Sequence, residues 1–246
     1  MKKFLFSTIC SALVLFAANA FAYQQVFFGE DEGVGESTAL GVWNNAQAAE
    51  ANFLSHLTGT GTEDFESYSD GTSAPLAISF PGAGTATLTG GGEINYVSAG
   101  STNNYGRYGT SGDYYWDADS DDFIINFDTP VAAFGFYGID IGDFSGQLSI
   151  FAGATEYAVP HTLGITGGSV LFWGLIDTDN PFTSITFSNL GGGSYADAFG
   201  FDDMTIGSVE QVSEDTIGSV PEPSTFVLLA AGLLGLVGIG RKRILG

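Results

Sequence analysis

The chemistry open to this chain is carboxylate chemistry, because its 28 acidic residues face six cations and two histidines. Asp117, Asp119 and Asp121 alternate along Asp117-Ala118-Asp119-Ser120-Asp121-Asp122. An EF-hand loop presents its first three calcium ligands at that spacing. The pattern then departs: Asp122 stands where the sharp turn needs glycine, and Phe123 to Phe127 reads as a strand. A simpler aspartate loop for Ca2+ is one expectation, and a solvated strand entry is the other. A second candidate depends on topology. If the first and last strands of the body pair, Glu66 meets Asp202 or Asp203, and backbone carbonyls complete the all-oxygen shell of a structural Ca2+. Otherwise these acids lie on the exposed face of a strand beside core Phe199 and Phe201.

Two further clusters suit binding. Tyr114, Tyr115 and Trp116, with Tyr105, Tyr108, Asn103, Asn104 and Asp113, form the aromatic-plus-amide set that stacks sugar rings; the alternative is a tyrosine-rich loop covering the core. Thr85, Thr87 and Thr89 share one face of a strand, as on an ice-binding surface, although threonine is ordinary in strands. Catalysis has little support. A glycosidase needs two carboxylates flanking the bond, one with a raised pKa, and in so acidic a chain proximity alone means little. No motif places Ser or Asp beside His56 or His161. The runs Gly90-Gly91-Gly92 and Gly191-Gly192-Gly193 fall between strands, where turns need them, so they do not read as phosphate loops. We expect no catalytic residues and no enzyme.

The elements that would position these groups are mostly strands. Ala39 to Leu57 is a helical stripe, with Trp43, Ala46, Ala49, Phe53, Leu54 and Leu57 at helical spacing, and Gly59-Thr60-Gly61 ends it. Residues 23–38 read as a loose leader. From Thr62 the pattern becomes short strands: 76–80, 85–89, 94–97, 123–127, 132–139, 147–151, 156–159, 170–176, 182–188 and 199–206. Strands at this spacing without intervening helices predict an all-β, antiparallel β-sandwich, of jelly-roll topology, over residues 62–207. One helix precedes it within residues 23–61, and an acidic linker follows at 208–219.

Charge is distributed unevenly. Five of the six cations lie in the two ends, and all acids lie between Glu30 and Glu222. Residues 23–220 therefore hold 27 acids against Arg107, a net charge of −26. Such a body repels nucleic acid, whose binding needs cations on phosphates. Its self-repulsion would be relieved by Ca2+, the one cofactor this composition invites. With 21 Phe, 10 Tyr and 3 Trp, it still has the apolar area for a core.

Both ends read as addresses. Met1-Lys2-Lys3, an apolar run from Phe4 to Ala18 and small residues to Ala22 form a signal peptide, residues 1–22. The sole cysteine, Cys10, leaves with it. At the other end Val220-Pro221-Glu222-Pro223 is held extended by its prolines. An apolar span at about 224–240 follows, a single transmembrane helix short of the roughly 20 residues of a comfortable span. Arg241-Lys242-Arg243 is a basic stop that stays cytoplasmic.

This three-part tail, 220–246, resembles the PEP-CTERM sorting signal of Gram-negative bacteria, also described as an ice-binding-protein C-terminal domain. The resemblance implies recognition of Pro221, Glu222 and Pro223 by an exosortase, a membrane-embedded cysteine transpeptidase. It implies export, transient anchoring in the inner membrane and delivery to the cell surface or beyond. Thr62 to Tyr68 and Asp197 to Met204 look like the opening and closing strands of jelly-roll ectodomains that precede such tails. The expected role is structural or adhesive, in extracellular polysaccharide or biofilm. The alternatives are a carbohydrate-binding module or a glycan-active enzyme on the same sandwich.

Overall fold

The computed structural model describes residues 23–119, 122–142, 146–189 and 198–213. The expected signal peptide, Asp121, the second half of the linker and the whole tail with its span lie outside these residues. The elements run β1 (Gln24–Asp31), α1 (Asn44–Ser55), β2 (Thr62–Glu63), β3 (Leu76–Phe80), β4 (Gly84–Thr89), β5 (Gly92–Tyr96), β6 (Tyr114–Asp119), β7 (Ile124–Val131), β8 (Ala133–Ile139), β9 (Leu148–Ala152), β10 (Thr155–Ala158), β11 (Val170–Asp177), β12 (Phe182–Asn189) and β13 (Ala198–Gly207). Two antiparallel sheets result. The first has the order β1-β11-β8-β13-β6-β5, with β2 also paired to β13; the second is β10-β9-β12-β7-β4-β3. The expected antiparallel sandwich is thus present. Its last eight strands interleave as β6-β13-β8-β11 over β7-β12-β9-β10.

Burial explains which strands were legible. β3 is half-buried and alternates, with Leu76, Ile78 and Phe80 inside and Ala77 and Ser79 outside. β8 and β11 are buried along their whole length, because α1 covers the outer face of the first sheet. Between the sheets the core is aromatic, with Phe123 stacked on Phe187 and Phe136 on Phe201, each pair 5.0 Å between ring centres.

Each strand expected from the sequence is present, with its ends shifted by up to a few residues. Two were missed, β1 and β6, while β2 is a short piece of the opening strand expected within Thr62 to Tyr68. The supposed leader holds β1, which pairs with β11 from Gln24↔Asp177 to Asp31↔Val170. It is recruited because β11 would otherwise leave a row of unpaired backbone groups at the sheet edge.

The helix is shorter than the expected 39–57. Asp31, at the end of β1, sets its start by accepting the N–H groups of Asn45 (3.3 Å) and Ala46 (2.9 Å). That carboxylate supplies from a distance what an N-cap supplies locally. The helix seats by one ring. Gly135 and Gly174 face each other across β8 and β11, and a Cβ on either would lie 2.8 or 2.9 Å from the Phe53 ring. The glycines make a slot, and Phe53 fills it with no exposed surface. Among the described residues no helix is long and apolar enough to cross a membrane.

Phe53→Ala empties this slot. We expect a loss of about 3–5 kcal/mol in urea unfolding, and a loss below about 1 kcal/mol would show that α1 is not docked through this ring.

Candidate functional site

The densest gathering of candidate residues lies where β13 meets the 109–114 loop. The first and last strands of the body do pair, Met204 with Glu63 and Thr205 with Thr62. Between Asp202 and Thr205 the register of β13 against β8 shifts, and Asp203 adopts φ +48°. This irregularity carries both carboxylates toward the loop. Asp202 Oδ2 accepts the backbone N–H of Thr110 (2.7 Å) and Ser111 (3.2 Å) and the Thr110 hydroxyl (2.9 Å), while Oδ1 accepts the Asp203 N–H (2.8 Å). Asp203 lies 3.0 Å from the Thr110 hydroxyl and 2.7 Å from that of Ser111. The single Thr110 hydroxyl proton therefore serves two carboxylates.

Glu66 grips the same loop from its other end. Its Oε1 accepts the N–H of Asp113 (2.8 Å) and Tyr114 (2.7 Å), and a Cβ on Gly112 would lie 2.2 Å from its carboxyl carbon. Asp64 and Glu66 lie near enough to raise the Asp203 pKa. Yet the Glu66 carboxylate is spent on the loop, and Asp202 is surrounded by donors. Among the described residues no group of three or more His, Cys, Asp or Glu is placed to hold a metal ion. These acids clamp the loop at both of its ends.

The aspartate run is drawn apart. Asp117 lies inside β6, 3.1 Å from Arg107 Nε, and accepts an amide N–H from Asn95 (3.2 Å). Arg107 also donates to the Ala198 carbonyl (3.0 Å), so the body's one cation joins the 103–108 loop to β6 and β13. Asp119 closes β6, its backbone opposite Ala198. The side chain of Asp119, and Asp121 altogether, lie outside the described residues.

Most of the aromatic set is drawn into the cores, while Tyr105 stays exposed. Tyr115 and Trp116 have no exposed surface and belong to the cores on opposite sides of the first sheet. Tyr114 is half-buried against Tyr96, 5.2 Å between ring centres. Tyr108 is buried too, donating to the Gly168 carbonyl and accepting the Leu40 N–H, and burial pushes its hydroxyl pKa up to about 12. The histidines are equally enclosed. His56 Nδ1 lies 3.1 Å from the Tyr23 hydroxyl, and His161 Nε2 accepts the Leu148 N–H at 3.0 Å. Sequence reading also missed a surface cleft of about 310 Å³ between the β9–β10 and β11–β12 turns. Its one local signal was Asp177-Thr178-Asp179-Asn180-Pro181, a turn sequence.

Burial sets the pH response. It raises the pKa of Asp202 well above the usual carboxylate range, helped by the neighbouring Asp203 charge. Burial likewise raises Asp203, Asp117, Glu50 and Glu63. A carboxyl raised in the folded state holds its proton more tightly there than when unfolded. Its stabilising contribution is full below the unfolded pKa and is lost as pH rises through the folded value. His56 and His161, lowered by burial, oppose this below about pH 6.5. With five carboxyls against two imidazoles, the urea midpoint should rise between about pH 7 and pH 5. Asp202→Asn should flatten that rise. A wild-type midpoint that falls steadily over the same interval would contradict the arrangement.

Comparison with known proteins adds three findings. No curated protein matches the chain. A solved structure, the K2 cleaved adhesin domain of Lys-gingipain, matches with a TM-score of 0.37 and 13% identity, over 60% of this chain and 97% of that one. A family model for the PEP-CTERM protein-sorting motif matches residues 219–243, the same strip, apolar run and basic cluster that the sequence singled out. The chain therefore carries a PEP-CTERM protein-sorting motif at its C-terminal end, which implies exosortase-dependent export to the surface or the extracellular space.

Proposed function

We propose that the chain is a non-enzymatic sandwich protein, released at the cell surface after exosortase processing, with a structural or adhesive role in extracellular polysaccharide. The sorting motif carries this reading. The body supports it, because the acid groupings in β13 and β6 are spent on holding loops and strands. In this reading the interleaved order of β6 to β13 is a jelly roll, two Greek keys closed over one core. Ca2+ acts mainly as a counterion to the anionic body. Before processing, the apolar run holds the protein in the inner membrane.

A second reading, a carbohydrate-binding module, is favoured by the cleft beside β10 and no longer by Tyr114, Tyr115 and Trp116. Two measurements separate the possibilities. The mass of the surface-released protein should place its C-terminus near residues 220–224, and a released form that still ends at Gly246 would overturn processing. Deleting the gene should weaken cell attachment without altering the chain lengths of the polysaccharide; altered chain lengths would point to an enzyme instead.

A further inference from the structure

The cleft is built as a frame of fixed polar and apolar groups. At its base Asp177 is 2% exposed. Its Oδ1 accepts the N–H groups of Asp179 (3.1 Å) and Asn180 (2.9 Å), and its Oδ2 accepts the Gln24 amide at 2.8 Å. The same Gln24 nitrogen lies 2.8 Å from the Tyr157 hydroxyl, and the Tyr157 ring meets Trp173 edge-on at 6.1 Å. The Asn180 amide nitrogen is 3.4 Å from both Asp177 oxygens. One buried carboxylate thus sets the turn and the side chain of Asn180, and through Gln24 it holds Tyr157. Thr155 and Thr183 add hydroxyls to the lining, and Ala152, Pro181 and Phe182 add apolar surface.

Hydroxyls and an amide beside an aromatic ring and a proline match a pyranose, which presents a ring of hydroxyls and an apolar C–H face. The volume lies at the small end of ligand sites, roughly 300–1,000 Å³. Preset side chains lower the ordering cost of binding. Charge selects among sugars. Among the described residues no cation lines the cleft, Asp177 stands at its base, and the body around it is strongly anionic. Uronates and sulfated units are disfavoured.

We propose that this cleft binds one uncharged pyranose unit of a polysaccharide chain. Asn180, Thr155 and Thr183 bond its hydroxyls, and Tyr157 and Pro181 cover its C–H face. The inference gives the carbohydrate-binding reading a location and is independent of the sorting motif, whose test is the released mass.

The experiment is saturation-transfer NMR on the full chain in a sugar-free zwitterionic detergent. The probes are methyl hexopyranosides, with methyl glucuronide as the charged counterpart. At least one hexopyranoside should bind with a Kd on the order of 1 mM, and the glucuronide at least about tenfold more weakly. Asn180→Ala should weaken binding about tenfold. Thr183→Val, outside the Asp177 network, should weaken it while leaving the urea midpoint unchanged. Absence of transfer from every hexopyranoside overturns the proposal. So does binding that both variants leave intact, or equal binding of the glucuronide.

Discussion

With one cation in its body, the chain gives Asp117 a partner of opposite charge in Arg107, and its other carboxylates must find neutral donors. The solution throughout this fold is the N–H donor. Asp31 takes the first amides of α1, Asp202 takes Thr110 and Ser111, and Glu66 takes Asp113 and Tyr114. Asp140 takes Gly168, Asp113 takes Ala99, Asp70 takes Tyr96 and Glu30 takes Thr162. Bonds from amides to an ionised acceptor are about twice as strong as neutral ones. Each also ties together two separate segments of the chain. The acidity that looks like a surface property is therefore a stapling system for a loop-rich sandwich, and the second core under α1 depends on one of those staples.

The same solution limits what the acids can do. Each lone pair committed to an amide is one fewer for another ligand, and Glu66 gives Oε1 to two amides. Asp202 and Asp203 form the sort of close pair that often signals catalysis. Here burial raises both pKa values, with the Asp203 charge acting on Asp202 and the Asp64 and Glu66 charges on Asp203, and hydroxyl and amide donors of the 109–114 loop bond to both carboxylates. At Asp177 a clamped acid lines an open cleft, where it organises its neighbours and is itself almost wholly covered.

Legibility in the sequence followed the environment of each strand. β12 was clear because Thr183, Ile185 and Phe187 alternate with Ser184, Thr186 and Ser188, and one face looks outward. β6 was opaque because both of its faces are covered. Trp116 enters the core between the sheets, while Tyr115 enters the one beneath α1, so consecutive aromatics replace the expected alternation. Asp117 deepened the disguise, since a carboxylate within a strand reads as a loop until Arg107 is known to stand beside it. β1 failed for another reason: its glycine and acids look like linker, and Gly29 is there because a Cβ would lie 2.1 Å from the Asn45 carbonyl oxygen of the helix above.

From the sequence alone came the properties that are local or additive. A sorting motif is read by an enzyme as an extended strip, and net charge is a sum, so neither requires a fold to be recognised. The antiparallel sandwich was also accessible, because strand periodicity is a short-range pattern. The partners of the acids were decided only by tertiary structure. Asp202 meets Thr110 from 92 residues away, and Glu66 meets Asp113 from 47. Such encounters depend on strand register, which the packing of the whole core sets, and no spacing along the chain encodes them.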